Sequence, residues 1–419
     1  MPVHKVTQFL SEISTFFKES DSDHAMFAIM DVIKGVRMNE QTLFGRKCRC
    51  NSKYSLLQVF QLLLVCPCFM IRNPFNIYGS PLGGKLGCRK DVFYEFLNDG
   101  RTDWRKLMYH IVCQLWTKVI VRSDHKPTDT CLMIDDTDFP KTGRRMENIG
   151  RVHSHLEHRS ILGFKALFLG ITDGISQMLL DFAILGEKGR KGNYGMSGKE
   201  LSRRYSTERD ADAAIQARLS EYSMSKIDLA IEMIGRAIRQ KVRFRYVLAD
   251  SWYMSADVAF ADTSVRLFFI RRSKRGPWSG LLTTDLSLRF SEAYRIYSRR
   301  WSQEVIFKES KGLLGLGKCQ SANFAAQIAS TSLVALQYNI LSAVKRFMDY
   351  ETIGELFRQA GQDSLELTIT ERIWQAILEL VAAITKVFSI DDEEVLDTLV
   401  NESDELAHIC KLYQCKMAS

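Results

Sequence analysis

Tyr297, Arg300, Glu304 and Lys311 stand at offsets of zero, three, seven and fourteen residues. On an α-helix of about 3.6 residues per turn these positions line one face. A carboxylate flanked on its own face by two cations suits a centre that holds divalent metal and phosphate together. Glu304 would be the ligand, and Arg300 and Lys311 would turn to phosphate. The same spacing also describes an ordinary i,i+4 ion pair between Arg300 and Glu304 on a solvated helix. Ile296, Trp301, Val305, Ile306 and Phe307 occupy the intervening positions. The helix can therefore pack against a core and still present its acid.

This tyrosine–arginine–glutamate–lysine spacing resembles the signature of cut-and-paste transposases in the insertion-sequence-4 group, whose glutamate is the last acid of an Asp-Asp-Glu triad. The resemblance implies two aspartates upstream at strand ends. Residues 131–137, Cys-Leu-Met-Ile-Asp-Asp-Thr, and residues 246–251, Tyr-Val-Leu-Ala-Asp-Ser, are short apolar runs that end in acids. Both are too short for helices and read as strands. In the family the first acid precedes a threonine, which selects Asp136 with Asp135 as the alternative; the second is Asp250. The implied triad is Asp136, Asp250 and Glu304, separated by 250 − 136 = 114 and 304 − 250 = 54 residues.

Three carboxylates meeting at a sheet edge repel one another unless divalent cations neutralise them. The expected cofactor is Mg²⁺ or Mn²⁺, two ions about 4 Å apart that activate an attacking oxygen and stabilise the leaving 3′ oxygen. The resemblance implies cleavage at transposon ends and transfer of the freed 3′-hydroxyl into target DNA, in some relatives through a hairpin. It also implies that Tyr297, Arg300 and Lys311 grip phosphates of the terminal inverted repeats, and that a tryptophan receives an unstacked base. Trp301 is the first candidate for that role, then Trp252 and Trp278, and each is equally readable as a core residue. One departure stands out: well-studied members carry a large β-rich insertion between the second Asp and the Glu, whereas 54 residues leave room for one strand and a small excursion.

The positioning elements follow from the rest of the chain. From residue 131 the texture is of strands: 131–136, then 162–172 and 177–185 joined by the hairpin signal Asp173-Gly174, then 246–250 and 265–271 after a helical run over 210–240. This is the order of an RNase H-like core: an α/β domain with a mixed five-stranded sheet and flanking helices, its aspartates on the first and fourth strands. Helical periodicity marks 4–18 and 24–37, an apolar helix begins near Tyr54, and residues 72–86 are rich in Gly and Pro and read as a loop. Lys90–Leu97 and the run opening at Thr102 form helix, turn and helix, the pattern of a DNA reader and equally of a small bundle. Beyond 312, long helices are expected over 322–348 and 372–388. The expected organisation is a helical DNA-binding region over 1–125, the catalytic domain over 126–320, and a helical region over 321–419 that completes the core or pairs protomers.

The 419 residues, 46% hydrophobic and 25% charged, are enough for a sizeable core and exclude wholesale disorder. Lys and Arg total 57 against 49 acids, a net charge of +8, which leans toward an anionic partner. Basic groups cluster at 143–145, 188–191, 203–204, 271–275 and 299–300, near or between the acids. The ten cysteines lack zinc-knuckle spacing, and His153, His155 and His158 match no strong ligand pattern. No signal peptide or membrane span is evident, so reduced thiols and a cytoplasmic protein are expected, nucleoid-associated by the resemblance. The expected partners are transposon-end and target DNA and, on DNA, a second copy of the chain. A nuclease or resolvase that cuts without joining, or a transposase-derived DNA-binding regulator, are the competing readings; intact acids and Lys311 argue against the regulator.

Overall fold

The computed structural model describes residues 24–45, 54–71, 76, 90–121, 130–253, 264–271, 278–388, 391–403 and 406. The helix expected over 4–18, the basic linker 46–53 and most of the 72–86 loop lie outside them. In chain order the first helices are α1 (Ala25–Lys34), α2 (Glu40–Phe44), α3 (Leu56–Val65), α4 (Lys90–Asn98) and α5 (Trp104–Val121). Strands β1 (Cys131–Pro140), β2 (Gly150–Ser154), β3 (Arg159–Thr172) and β4 (Gln177–Leu185) follow. Next come α6 (Gly198–Leu201), α7 (Ile215–Glu221), α8 (Lys226–Arg239), β5 (Tyr246–Leu248), β6 (Arg266–Arg271) and β7 (Trp278–Thr283). Helices α9 (Phe290–Ser298), α10 (Trp301–Glu309), α11 (Phe324–Phe347), α12 (Ile353–Phe388) and α13 (Asp392–Glu402) complete the chain. Among the described residues no helix is long and apolar enough to cross a membrane.

Two compact units form: Met1–Val36 with Lys47–Tyr94 and Met348–Ser419, and Arg37–Arg46 with Glu95–Phe347. In the first, α1 buries Ala25, Met26, Ile29, Met30 and Ile33 and packs on α12. The Met26 N–H donates to the Asp363 carboxylate at 2.9 Å, which satisfies one of the orphan donors of α1's first turn. Helix α3 starts at a capping box: the Ser55 hydroxyl accepts from the Gln58 N–H, and the Gln58 side chain accepts from the Ser55 N–H. Helix α12 begins well before the expected residue 372 and runs without a break.

The second unit is the α/β core. Its main sheet holds five strands in the order β2-β3-β1-β5, with β4 also paired to β3. β1 runs antiparallel to β3 and parallel to β5, so the sheet is mixed. β3 from Gly163 and β4 from Met178 are buried without interruption, the pattern of strands covered on both faces. Helices α5, α7, α8, α10 and α11 all pack on β4. Helix α5 buries Trp104, Leu107, Met108, Val112 and Leu115, so it is a core helix of this unit. The backbone of β4 is sealed by a side chain: Asn339 of α11 accepts from the Leu179 N–H at 2.7 Å and donates to the Leu179 carbonyl at 2.8 Å. An amide with one donor and one acceptor here substitutes for a neighbouring strand.

Two departures from the sequence reading concern the fifth strand and the signature helix. The segment expected as the fifth strand, 265–271, leaves the main sheet and pairs with β7 in a separate two-stranded sheet. The fifth member is β2, which pairs with the start of β3. The signature helix is two helices, α9 and α10. At the join, the Arg299, Arg300, Ser302 and Gln303 N–H groups bond three residues back, to Ile296, Tyr297, Arg299 and Arg300. That tightened 3₁₀-type turn interrupts the α-helical ladder.

Candidate functional site

Adjacent residues of a strand point to opposite faces, and β1 uses this to send its two aspartates in different directions. Asp135 meets the signature helix. Arg300 donates from Nη1 to Asp135 Oδ2 at 2.9 Å and from Nη2 to Glu304 Oε1 at 2.8 Å, so one guanidinium spans two carboxylates. Two residues along the same pleat, Thr137 Oγ1 accepts from Lys311 Nζ at 2.6 Å. Lys311 lies in a π-helical turn, Ser310–Leu314, that continues α10 and ends at Gly315 in the left-handed region. Such wide turns recur where a helix must present a group out of α-helical phase. The Tyr297 ring remains beside the guanidinium, 5.9 Å from it, across the tight turn.

Asp136 looks the other way. Its Oδ1 accepts from Lys226 Nζ at 2.8 Å and faces the Tyr253 hydroxyl at 3.5 Å, and its Oδ2 lies 3.6 Å from Lys165 Nζ. Lys165 is buried on β3, where it also meets Asp138 at 2.9 Å and donates to the His153 carbonyl at 2.7 Å. The signature residues Arg300, Glu304 and Lys311 are thus gathered around Asp135 and Thr137, and Asp136, the first acid chosen from the sequence, lies on the opposite face of β1. Asp250 follows β5 at the head of a short 3₁₀ turn, its carboxylate accepting from the Trp252 N–H at 2.8 Å. β5 pairs with β1 as far as Met133–Leu248, and Asp250, two residues on, is near enough to Asp135 to raise its carboxyl.

Burial is the largest single influence on the ionisation of this group. Burial pushes the Asp135 carboxyl up to about 6, with repulsion from Asp136 and Asp250 adding to it and the Asp136 N–H and Arg300 opposing it. Burial lowers the Lys311 amine from its ordinary value, with only Asp138 opposing. Burial works against the charge of Arg300 too, but Asp135 foremost and then Tyr297 and Glu304 hold it more firmly protonated than a free arginine. The Tyr253 hydroxyl is raised well above its usual value by burial and then by the three aspartates. Among the described residues no three His, Cys, Asp or Glu side chains converge closely enough to hold a metal ion.

Trp301 is 63% exposed and Trp252 47% exposed, so neither is a core residue. Lys226 Nζ sits 4.0 Å from the centre of the Trp252 ring. Trp278 opens β7, and its side chain lies outside the described residues. Residues that the sequence reading missed are Thr137, Lys165, Lys226 and Tyr253. Lys165 did carry a signal, a lone cation inside an apolar strand that demands buried partners, and Thr137 was readable by strand parity. The exit from the signature is pinned by Lys141, which donates to the Gly317 and Cys319 carbonyls at 2.7 and 2.6 Å. Burial lowers that amine to about 8. Gly317 has φ +77° and a Cβ there would lie 2.7 Å from the Phe139 ring, so only glycine fits.

No curated protein matches the chain. Residues 81–276, which carry β1 with Asp135 and Asp136 and reach past Asp250 but stop short of Glu304, are similar to the family described as DDE superfamily endonuclease.

Proposed function

We propose that the protein is a metal-dependent DNA endonuclease of the transposase type, which cuts at the ends of an insertion sequence and joins the freed 3′-hydroxyl to target DNA. The observation that carries this reading is the pair of bonds from Arg300 to Asp135 and Glu304, on the face where Lys311 reaches Thr137. Asp135, Asp250 and Glu304 would hold the cation by drawing closer than they stand with Arg300 between two of them. Their hard carboxylate oxygens are the donors that Mg²⁺ and Mn²⁺ prefer. The Asp135 carboxyl is raised chiefly by burial, with Asp136 and Asp250 adding to it, and a cation beside it would favour its charged form. Bound there, one or two such ions supply Lewis-acid activation of the attacking oxygen and charge stabilisation of the leaving one.

The chain's own groups do the rest. Lys311 and Arg300 are cations on the same face and bind the flanking phosphodiesters, with Tyr297 beside them. Trp301, exposed next to Arg300, offers a π-face to an unstacked base. Cutting both ends of one element in step calls for two copies of the chain on DNA. The +8 charge and the similarity to endonucleases support a nucleic-acid substrate. The test is cleavage of linear DNA carrying the element's ends in Mg²⁺. Glu304→Gln is expected to bind that DNA as well as the native protein and to cut it at least ~10²-fold more slowly. Equal cutting by the variant would sink the assignment, and recovery of joined products separates a transposase from a nuclease that only cuts.

A further inference from the structure

Arg300 holds the two carboxylates that the cation needs. Its fork spends one nitrogen on Asp135, 2.9 Å away, and another on Glu304, 2.8 Å away. With side chains only 17% and 16% exposed for Arg300 and Asp135, little water competes for the bond to Asp135, whereas Glu304 is 37% exposed and its bond is the more open to water. A dication that takes both acids competes with a guanidinium already bonded to one oxygen of each. Arginine does not leave by losing its proton at any pH a protein survives. It leaves when its hydrogen bonds pass to water or to another anion, and the anion whose geometry fits the same planar fork is a phosphodiester. Lys311, on the same face, is bonded to a neutral hydroxyl and forms no carboxylate pair of this kind among the described residues.

We propose that Arg300 is a substrate-released latch: without DNA it occupies Asp135 and Glu304 against divalent cations, and a DNA phosphate draws it off and opens both acids to metal. DNA binding then precedes metal loading. The inference rests on the endonuclease reading above and adds to it an order of assembly. A side chain used only to grip DNA would not be expected to hold both acids in the absence of DNA, and a side chain used only to fix Glu304 would not need the second bond to β1.

The test reads metal binding rather than cleavage. Mn²⁺ affinity of the full chain is measured from the electron paramagnetic resonance signal of the free ion, with and without a short duplex of the element's end. The native protein is expected to gain about tenfold in Mn²⁺ affinity when the duplex is added, the scale of losing charge-assisted competition for the ligands. Arg300→Gln is expected to bind Mn²⁺ about tenfold tighter than the native protein without DNA, and to gain less than about twofold from the duplex. Arg300→Lys, which keeps the charge but cannot span both acids, falls between them and serves if the glutamine variant fails to fold by circular dichroism. Lowered Mn²⁺ affinity in Glu304→Gln together with unchanged affinity in Arg300→Gln and Arg300→Lys overturns the latch alone. Undiminished Mn²⁺ binding by Glu304→Gln overturns the metal site itself, and the latch with it.

Discussion

At the scale of single residues the result turns on parity along β1. Asp135 and Asp136 are neighbours in sequence and face opposite layers, one toward Arg300 and the other toward Lys226 and Lys165. Removing one acid is therefore expected to remove activity and removing the other to remove stability. Asp135→Asn should cut element-end DNA at least ~10²-fold more slowly while melting near the native temperature. Asp136→Asn should keep measurable cutting and lose about 1–3 kcal/mol of stability, because it leaves Lys226 and the buried Lys165 short of a partner. Cleavage rates and denaturant titrations on both variants check this, and the reverse ranking would return the catalytic role to Asp136. The sequence could not make the distinction by resemblance, because the rule that an acid precedes threonine says nothing about pleat direction. Thr137 supplied the missing information: it shares a face with Asp135, and that face meets Lys311.

At the scale of elements, β4 ties the layers together through charge. Asp181 meets Arg105 of α5 at 2.9 Å, Arg236 of α8 at 2.8 Å and Arg218 of α7 at 3.8 Å. Burial alone would raise its carboxyl, and the three guanidiniums overcome that and hold it below the ordinary value. A depressed carboxyl contributes stability that is present above the unfolded-state value near 3.9 and is lost as pH falls through the folded-state value. Asp181→Asn should cost about 3 kcal/mol at neutral pH, since it leaves Arg105, Arg218 and Arg236 one buried carboxylate short, with Glu221 as the partner they still share. The native protein should lose that advantage over the variant as melts are taken to pH below about 4. A difference that is flat across that range would show that Asp181 is not the group that titrates. The elements themselves were unevenly legible. β1, β3 and β4 announced themselves as apolar runs with a hairpin signal between the last two. β2, Gly-Arg-Val-His-Ser, is short and mixed, and its turn through His155–His158 has no glycine or proline, so nothing in composition marks it. The break between α9 and α10 falls at Arg299–Arg300 with no helix breaker, because hydrogen bonding rather than residue type makes it. For β6, periodicity identified a strand but carried no information about which sheet would accept it.

At the scale of the whole molecule the chain carries a net charge of +8, and the proposed function requires a DNA affinity that falls steeply with salt. Each phosphate contact contributes about 0.9 to the slope of log affinity against log salt for duplex DNA. Lys311→Gln should lower that slope by ~1 and weaken binding to all sequences alike, which fluorescence anisotropy at several salt concentrations would show. An unchanged slope would mean that Lys311 serves Thr137 and not phosphate. The seal that Asn339 forms on β4 also has a consequence in time. Leu179 and Asn339 are 160 residues apart, so during synthesis the strand emerges long before the helix that covers it. At ~5–20 residues per second that interval is roughly 8–32 s. For that long a nine-residue, largely apolar strand leaves the ribosome with an open edge, and its fate in the cell depends on what meets it first.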